Sequence, residues 1–103
     1  MAVDVLLQTE NGLTLESASY PLDTVENQLY PEFKDAAYPL LGYIDLYGDT
    51  IFNSLQMEPF LEEWRRLSER ANALSERDFV EKVERLALRC QSEVHLYIKF
   101  YGD

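Results

Sequence analysis

The spacing of apolar residues changes twice along this chain, and that change limits the folds it can adopt. Val3, Val5 and Leu7 recur at every second position, as in a strand with one buried face. Over Phe60–Cys90 the apolar residues recur at helical spacing, and over Val94–Tyr101 they alternate again. Strands on both sides of a helical stretch are typical of an α+β domain whose helices cover one face of a sheet.

The first strand is expected to form a hairpin through the turn sequence Glu10–Gly12. A two-residue Asn-Gly turn would place Leu7 opposite Glu16 and mix the two faces of the hairpin. A three-residue loop with its glycine in the left-handed conformation would instead pair Leu7 with Leu15 and Thr9 with Leu13. We therefore predict the three-residue loop, with Leu13 and Leu15 on the same buried face as Leu7.

The middle of the chain predicts a long connection followed by a second hairpin. Three Tyr-Pro pairs interrupt Ser17–Pro39, and the residue before a proline disfavours the helical region. A short helix fits only over Asp23–Leu29. Alternation over Leu40–Tyr47 predicts a strand, which a type II′ turn at Gly48-Asp49 would join to Thr50–Asn53.

Two helices and a final strand complete the predicted fold. Pro59 suits the first turn of a helix. The apolar stripe of that first predicted helix runs to Leu74. Ser75–Asp78 matches a capping box and predicts the start of the second helix. The order β-β-loop-β-β-α-α-β predicts one α+β domain over residues 1–103. It would hold a mostly antiparallel sheet of about four or five strands, with two antiparallel helices packed on one face.

Negative charge restricts the classes of partner. Nine Lys and Arg residues against 19 Asp and Glu residues give a net charge of −10. Residues 1–64 hold 12 acids and one base, Lys34, which gives −11, whereas residues 65–103 come to +1. Direct binding to nucleic acid or to an anionic membrane surface needs the opposite sign. The charge instead predicts attraction of a basic protein partner, beside the simpler role of keeping the protein in solution.

Compartment and chemistry are constrained mainly by what the sequence lacks. It contains no apolar run near the roughly 18 residues of a membrane span and no basic region before an apolar N-terminal stretch. A single cysteine, Cys90, cannot form an internal disulfide, so we expect a cytoplasmic protein. The lone His95 lacks a nucleophile signature, and neither a phosphate-binding glycine loop nor zinc spacing occurs. We expect no catalytic residue, metal site or cofactor.

A local repeat directs attention to one surface. The segments Tyr43–Asp49 and Tyr97–Asp103 share five of seven residues, and both end in Tyr-Gly-Asp. If both are strands, the two tripeptides would meet at one edge of the sheet, and the tyrosines would lie on the face opposite the helices. The repeat is also explained if two strands simply fill similar positions in the sheet and the match is partly chance. The candidate partner-binding residues are Tyr43, Asp45, Tyr47, Asp49, His95, Tyr97, Lys99 and Tyr101.

These features favour a small, non-enzymatic protein-interaction module. Its partner would be a basic protein or a second copy of the chain, since tyrosine provides contact area with few rotatable bonds. In size, acidity and tyrosine content the chain is similar to small bacterial inhibitor and immunity proteins that bind basic toxins. Two alternatives stay open. One is a small-ligand-binding domain or minor enzyme with a pocket between the Tyr-Pro loop and the sheet, and the other is an inhibitor that mimics nucleic acid.

Overall fold

The computed structural model of the protein describes residues 2–21 and 29–102. The short helix predicted over Asp23–Leu29 therefore falls, apart from its last residue, outside the described residues. The strands and α-helices, in chain order, are β1 (Ala2–Thr9), β2 (Thr14–Pro21), β3 (Asp49–Asn53), α1 (Met57–Ser68), α2 (Leu74–Ser92) and β4 (Leu96–Gly102). Short 3-10 helices cover Leu41–Tyr43 and Ser54–Gln56.

The four strands form one antiparallel sheet in the order β2-β1-β4-β3, with both helices against one face. This arrangement confirms the predicted α+β class. The final strand enters the middle of the sheet, where it pairs with β1 on one side and with β3 on the other. The opposite face of the sheet is uncovered by the described helices and carries the candidate surface.

The register of the first hairpin differs from the prediction. Gly12 is left-handed, with a φ of 83°, and Gln8 pairs with Thr14 as expected. A bulge between Leu7 and Gln8 then shifts the register by one residue. Leu7 therefore lies opposite Glu16, and the leucines at positions 13 and 15 are exposed. The shift places Ala18 on the buried face, where a small residue leaves room for α2.

The predicted strand over Leu40–Tyr47 is wrong. This segment begins with the 3-10 helix and continues through turns, so the described sheet has four strands. Leu41 and Ile44 are both buried, a spacing of three that a strand cannot place on one face. Gly48 does not have a positive φ, so the type II′ hairpin is absent. The reason is the Glu63 side chain of α1, whose carboxylate accepts the backbone amides of Leu40 and Leu41.

The helical boundaries also move from their predicted positions. The first helix ends at Ser68, and Leu74 is the exposed first residue of α2. Glu76 accepts a hydrogen bond from the Ala73 amide (3.1 Å), so the helix is capped at Ala73, two residues before the Ser75 cap that the sequence predicts. That bond, followed by one from the Tyr20 hydroxyl (3.0 Å), holds the pKa of Glu76 below its ordinary value. The apolar residues that the sequence places at helical spacing in α2 are all buried, as predicted, namely Phe79, Val80, Val83, Leu86, Ala87 and Cys90.

Aromatic rings join the helices to the sheet. The Phe100 ring on β4 lies 5.9 Å from Trp64 and 6.1 Å from Phe60, measured between centroids. The Trp64 indole N–H donates to the Val80 carbonyl (2.9 Å), so this ring also ties α1 to α2. Burial of such large rings supplies most of the driving force that holds the helices on the sheet.

One ring in this core carries a polar group without a partner. Tyr30 is buried between Tyr20 and Phe100, and no described residue bonds its hydroxyl. Burial, and then the nearby Tyr20, raise the pKa of the Tyr30 phenol far above its usual value. A buried hydroxyl that lost its bonds to water without gaining new ones destabilises the folded state.

We expect Tyr30→Phe to raise the free energy of unfolding by about 1 kcal/mol. Thermal unfolding should show a melting temperature about 4–8 °C higher for a domain of this size. The unfolded phenol ionises near pH 10 and the folded one at higher pH, so the stability of the parent protein should fall above about pH 10. The variant should lose less stability there. Tyr20→Phe, which removes the bond to Glu76, is the control and should not stabilise.

Candidate partner-binding surface

Three rows of side chains cross the open face of the sheet. Cross-strand partners in an antiparallel sheet point to the same face, so the register fixes which residues share a row. The row nearest the start of β1 contains Ser19, Asp4, Tyr101 and Asp49. The central row contains Ser17, Leu6, Lys99 and Ile51, and the third contains Thr14, Gln8, Tyr97 and Asn53. Four of the eight candidate residues thus lie on this face.

Three of these four form a small charged and aromatic group. Lys99 Nζ lies 3.4 Å from Asp49 Oδ2 and 5.8 Å from the centroid of the Tyr101 ring. The lysine is thereby held between a carboxylate and an aromatic face, an arrangement that favours a fixed position for its long side chain. Tyr101 keeps 44% of its surface exposed. Tyr97 lies in the third row, toward the other end of β4.

The two Tyr-Gly-Asp segments meet at one end of the sheet, as predicted, for the residues that the structure describes. The Gly102 amide donates to the Gly48 carbonyl (2.8 Å), and Asp49 pairs with Tyr101. The geometry behind this meeting differs from the prediction. The first segment precedes β3 and the second ends β4, and these strands run antiparallel.

Tyr47 and Asp45 belong to the turn that precedes β3 and not to a strand. The Asp45 carboxylate accepts the Tyr47 amide (2.8 Å), and the Asp45 amide donates to the Thr50 hydroxyl (2.8 Å). This pair of bonds shapes the turn locally, as aspartate often does. It leaves the Tyr47 ring 73% exposed beside the end of the sheet. Both residues therefore border the row that contains Asp49 and Tyr101.

Two candidate residues lie elsewhere, which corrects the prediction of one shared face. Tyr43 is exposed on the 3-10 helix and packs edge-on against Phe33, with ring centroids 5.7 Å apart. His95 lies before β4, at the opposite end of the sheet from Tyr101, and its Nδ1 is 2.5 Å from Glu10 Oε1. The backbone of His95 is left-handed, with a φ of 66°, which a strand residue does not adopt. The strand therefore begins at Leu96 and not at Val94, where the alternation of apolar residues in the sequence starts.

Glu63 is a key residue whose place beside Glu62 in the sequence predicts only a solvated acid on a helix surface, and that prediction is wrong. It is only 4% exposed, and its carboxylate accepts the amides of Leu40 (2.9 Å) and Leu41 (3.0 Å). These bonds hold the start of the 3-10 helix against α1 in place of strand pairing. A signal was present, because Glu63 stands three residues after Phe60 on a helix whose buried face has that spacing.

The described part of the Tyr-Pro segment packs into the core. Leu29, Tyr30 and Tyr38 are buried there. Two shallow cavities of about 340 and 300 Å³ lie elsewhere, between the two helices and beside the start of β4. A pocket between this segment and the sheet stays a prediction, since residues 22–28 lie outside the described ones.

Potentially reactive groups are few within residues 2–21 and 29–102. The Cys90 thiol is buried against the Leu96 carbonyl (3.4 Å), and burial raises its pKa to about 11. No three His, Cys, Asp or Glu side chains in these ranges group in a way that could hold a metal ion.

Among the described helices, none combines the length and apolar character needed to cross a bilayer. No protein-family model, curated protein or solved structure matches the chain.

Proposed function

We propose that this chain is an interaction module that binds a basic protein through one end of its open sheet face. The sheet-end surface, as we define it, comprises Asp45, Tyr47, Asp49, Lys99 and Tyr101. The observation that carries the proposal is two exposed tyrosines beside exposed carboxylates at an uncovered end of the sheet. Tyrosine is a frequent anchor of protein interfaces, as are tryptophan and arginine, whereas scattered surface acids alone are not.

The charge around this surface favours a basic partner. Residues 35–64, which include the turn and β3, hold six acids and no base. The one lysine of the surface, Lys99, is already paired with Asp49. A basic partner would be steered toward this region and would gain charge-assisted bonds once in contact. Glu16 and Glu84 form closer ion pairs with arginines (2.8 and 2.7 Å) than Asp49 forms with Lys99 (3.4 Å), and Glu63 is buried.

A homodimer that packs sheet to sheet is the other form of this proposal. Two copies would each bring a net charge of −10, so their approach is opposed at low salt. Added salt should strengthen such a dimer and weaken a complex with a basic partner, since the Debye length falls to about 3 Å at 1 M. A role as an acidic mimic of nucleic acid stays a weaker proposal. Such a mimic needs regular rows of free surface carboxylates, whereas Glu16 and Glu84 are paired with arginines and Glu63 is buried. The cytoplasm stays the proposed compartment, since Cys90 is the only cysteine.

The proposal is tested with Tyr47→Ala combined with Tyr101→Ala. An array of lysine- and arginine-rich, neutral and acidic peptides supplies the probe, and the tightest-binding basic peptide is measured by fluorescence anisotropy. Each anchoring ring is expected to contribute about 2 kcal/mol, which is about thirtyfold in Kd, so the loss of both rings should weaken binding by up to about a thousandfold.

Tyr43→Ala is the matched control, because this tyrosine is also exposed (55%) but belongs to the 3-10 helix, where its ring packs against Phe33. It should change the Kd by less than about twofold. If no basic peptide binds at low salt, or if the double variant binds as tightly as the parent, the proposed surface is wrong. Circular dichroism of each variant establishes that the fold is retained.

A further inference from the structure

The outer edge of β3 has backbone groups free to accept another strand. This strand pairs with β4 on one side and with no described strand on the other. The bond from the Gly102 amide to the Gly48 carbonyl fixes the phase of the ladder, since bonded positions alternate in an antiparallel pair. Residues 50 and 52 therefore turn their amides toward β4, and residues 49, 51 and 53 turn theirs outward.

The hydrogen bond of Asn53 supports this phase independently. Its amide, which the alternation directs outward, donates to Gln56 Oε1 (2.8 Å) and is thereby occupied. Asp49 and Ile51 have no such local acceptor among the described residues. The Ile51 side chain is 58% exposed on the open face, so the edge also offers an apolar contact. An incoming strand could thus bond the backbone at two adjacent outward positions.

The other edge of the sheet is less suited to strand addition. A bulge between Leu7 and Gln8 breaks the regular pairing of β1 with β2. In addition, β2 carries the polar side chains of Ser17 and Ser19 on the open face. Bulges and polar side chains are features that discourage a further strand. On β3, by contrast, the register with β4 is regular from Asp49 to Asn53. The comparison points to β3 as the edge that can be extended.

We propose that an extended basic segment of the partner adds to β3 as a fifth strand of the sheet, which rests on the proposed function of the sheet-end surface. Antiparallel addition places a partner side chain opposite each of Asn53, Ile51 and Asp49 on the open face. The best match is then a polar residue opposite Asn53 and an aliphatic residue opposite Ile51. Asp49 calls for a lysine or arginine. The next position on that face lies toward Tyr47.

Charge decides between this occupant and a second copy of the chain. Antiparallel self-addition centred on Ile51 would place Asp49 opposite Asn53 of the other copy, which is acceptable locally. It would also bring two −10 molecules together along an edge that lacks a free cation among the described residues. A cationic strand instead relieves the local excess of carboxylates. The geometry therefore favours a basic partner segment over a dimer.

The test uses the peptide acetyl-TKVTKTK-amide, whose alternate residues follow the pattern above. The first control is the same peptide methylated on the valine nitrogen, which preserves charge but blocks backbone pairing. Ile51→Pro removes the outward amide, and proline is tolerated at the edge of a sheet. Ile51→Thr keeps that amide and the β-branched shape and is the matched protein variant.

We expect the peptide to bind the parent and Ile51→Thr, and to bind Ile51→Pro at least about tenfold more weakly. Methylation of the peptide should weaken binding by a similar factor. Saturation with the peptide should slow hydrogen exchange at the Ile51 amide by at least about tenfold, because a new hydrogen bond protects that group.

Strand addition is contradicted if the peptide shows no binding up to about 1 mM, or if it binds Ile51→Pro as tightly as the parent. If Ile51→Pro binds normally while the Tyr47 and Tyr101 double variant loses binding, the sheet-end surface stands and strand addition falls. A concentration-dependent dimer that Ile51→Pro abolishes, without peptide binding, would identify a second copy as the occupant and overturn the proposal.

Discussion

Replacing Glu63 with alanine should lower the free energy of unfolding by about 3–4 kcal/mol. The carboxylate is almost fully buried and accepts the backbone amides of Leu40 and Leu41. Its loss leaves two inward N–H groups without an acceptor, each costing about 1–3 kcal/mol, and opens a gap beside α1. The effect should extend beyond stability, since the same bonds hold the segment that leads to Asp45 and Tyr47.

Urea unfolding measures this effect, and the chain supplies a matched control one residue away. Glu62 is on the same helix but exposed, so Glu62→Ala should change stability by less than about 0.5 kcal/mol. Glu63→Gln keeps the shape of the side chain and one oxygen that can accept both amides, but it loses the charge and replaces Oε2, which also accepts the Leu40 amide (3.2 Å), with a donor; it should fall between the two. Equal stability of the two alanine variants would show that Glu63 does not anchor the 3-10 helix.

Gly102→Ala should lower the free energy of unfolding by about 3 kcal/mol and also weaken partner binding. A Cβ atom at this position would overlap the Leu46 carbonyl group and lie 3.0 Å from the Tyr47 amide nitrogen. These are backbone atoms, so the turn itself would have to move away from β4. The bond from the Gly102 amide to Gly48 would then lengthen, and the two tyrosines would no longer keep their relative positions.

Gly48→Ala is the control for this prediction, because its Cβ would meet only the Asp45 side chain, whose Oδ2 would lie 2.6 Å away. Oδ1, which accepts the Tyr47 amide, would lie 3.8 Å from that Cβ, so a small movement of the carboxylate relieves the contact while it keeps this bond, and we expect a loss of about 1 kcal/mol or less. Chemical denaturation and binding of the basic peptide should both distinguish the two variants. If Gly102→Ala is as stable as Gly48→Ala and binds equally well, close contact between the Tyr-Gly-Asp segments is not what positions the surface.

The parts of the fold that follow from local pattern could be predicted from the sequence. The buried residues of α2 repeat at helical spacing, and Leu96, Ile98 and Phe100 alternate over a full strand. Each pattern is long enough that only one assignment buries all its apolar residues. The sign of the charge and its concentration in the first 64 residues could likewise be read directly.

The parts that depend on a distant partner could not be predicted. Alternation over Leu40–Tyr47 is too short to exclude turns, and the deciding contact comes from Glu63 on a helix more than 20 residues later. The bulge after Leu7 likewise depends on the fit of Ala18 beneath α2, which a single hairpin does not reveal. Tertiary packing overrode local preference at both places.

The candidate surface was only partly predictable for the same reason. The repeat correctly brought the residues around Asp49 and Tyr101 together, although the first segment leads into β3, which pairs antiparallel with β4, and does not itself form a strand up to Tyr47. It wrongly grouped Tyr43 and His95 with them, since it assumed a strand over the first segment and ignored the backbone turn at position 95. Phe33, exposed beside Tyr43, carried no pattern that could have marked it.

Backbone amide NMR of the labelled protein, titrated with the tightest-binding basic peptide, shows directly where a basic partner binds. We expect the largest chemical-shift changes at Tyr47, Asp49, Ile51 and Tyr101, and these changes should diminish as salt is added. Changes confined to the exposed side of α2, or to the opposite end of the sheet around Glu10 and His95, would contradict binding at the sheet-end surface.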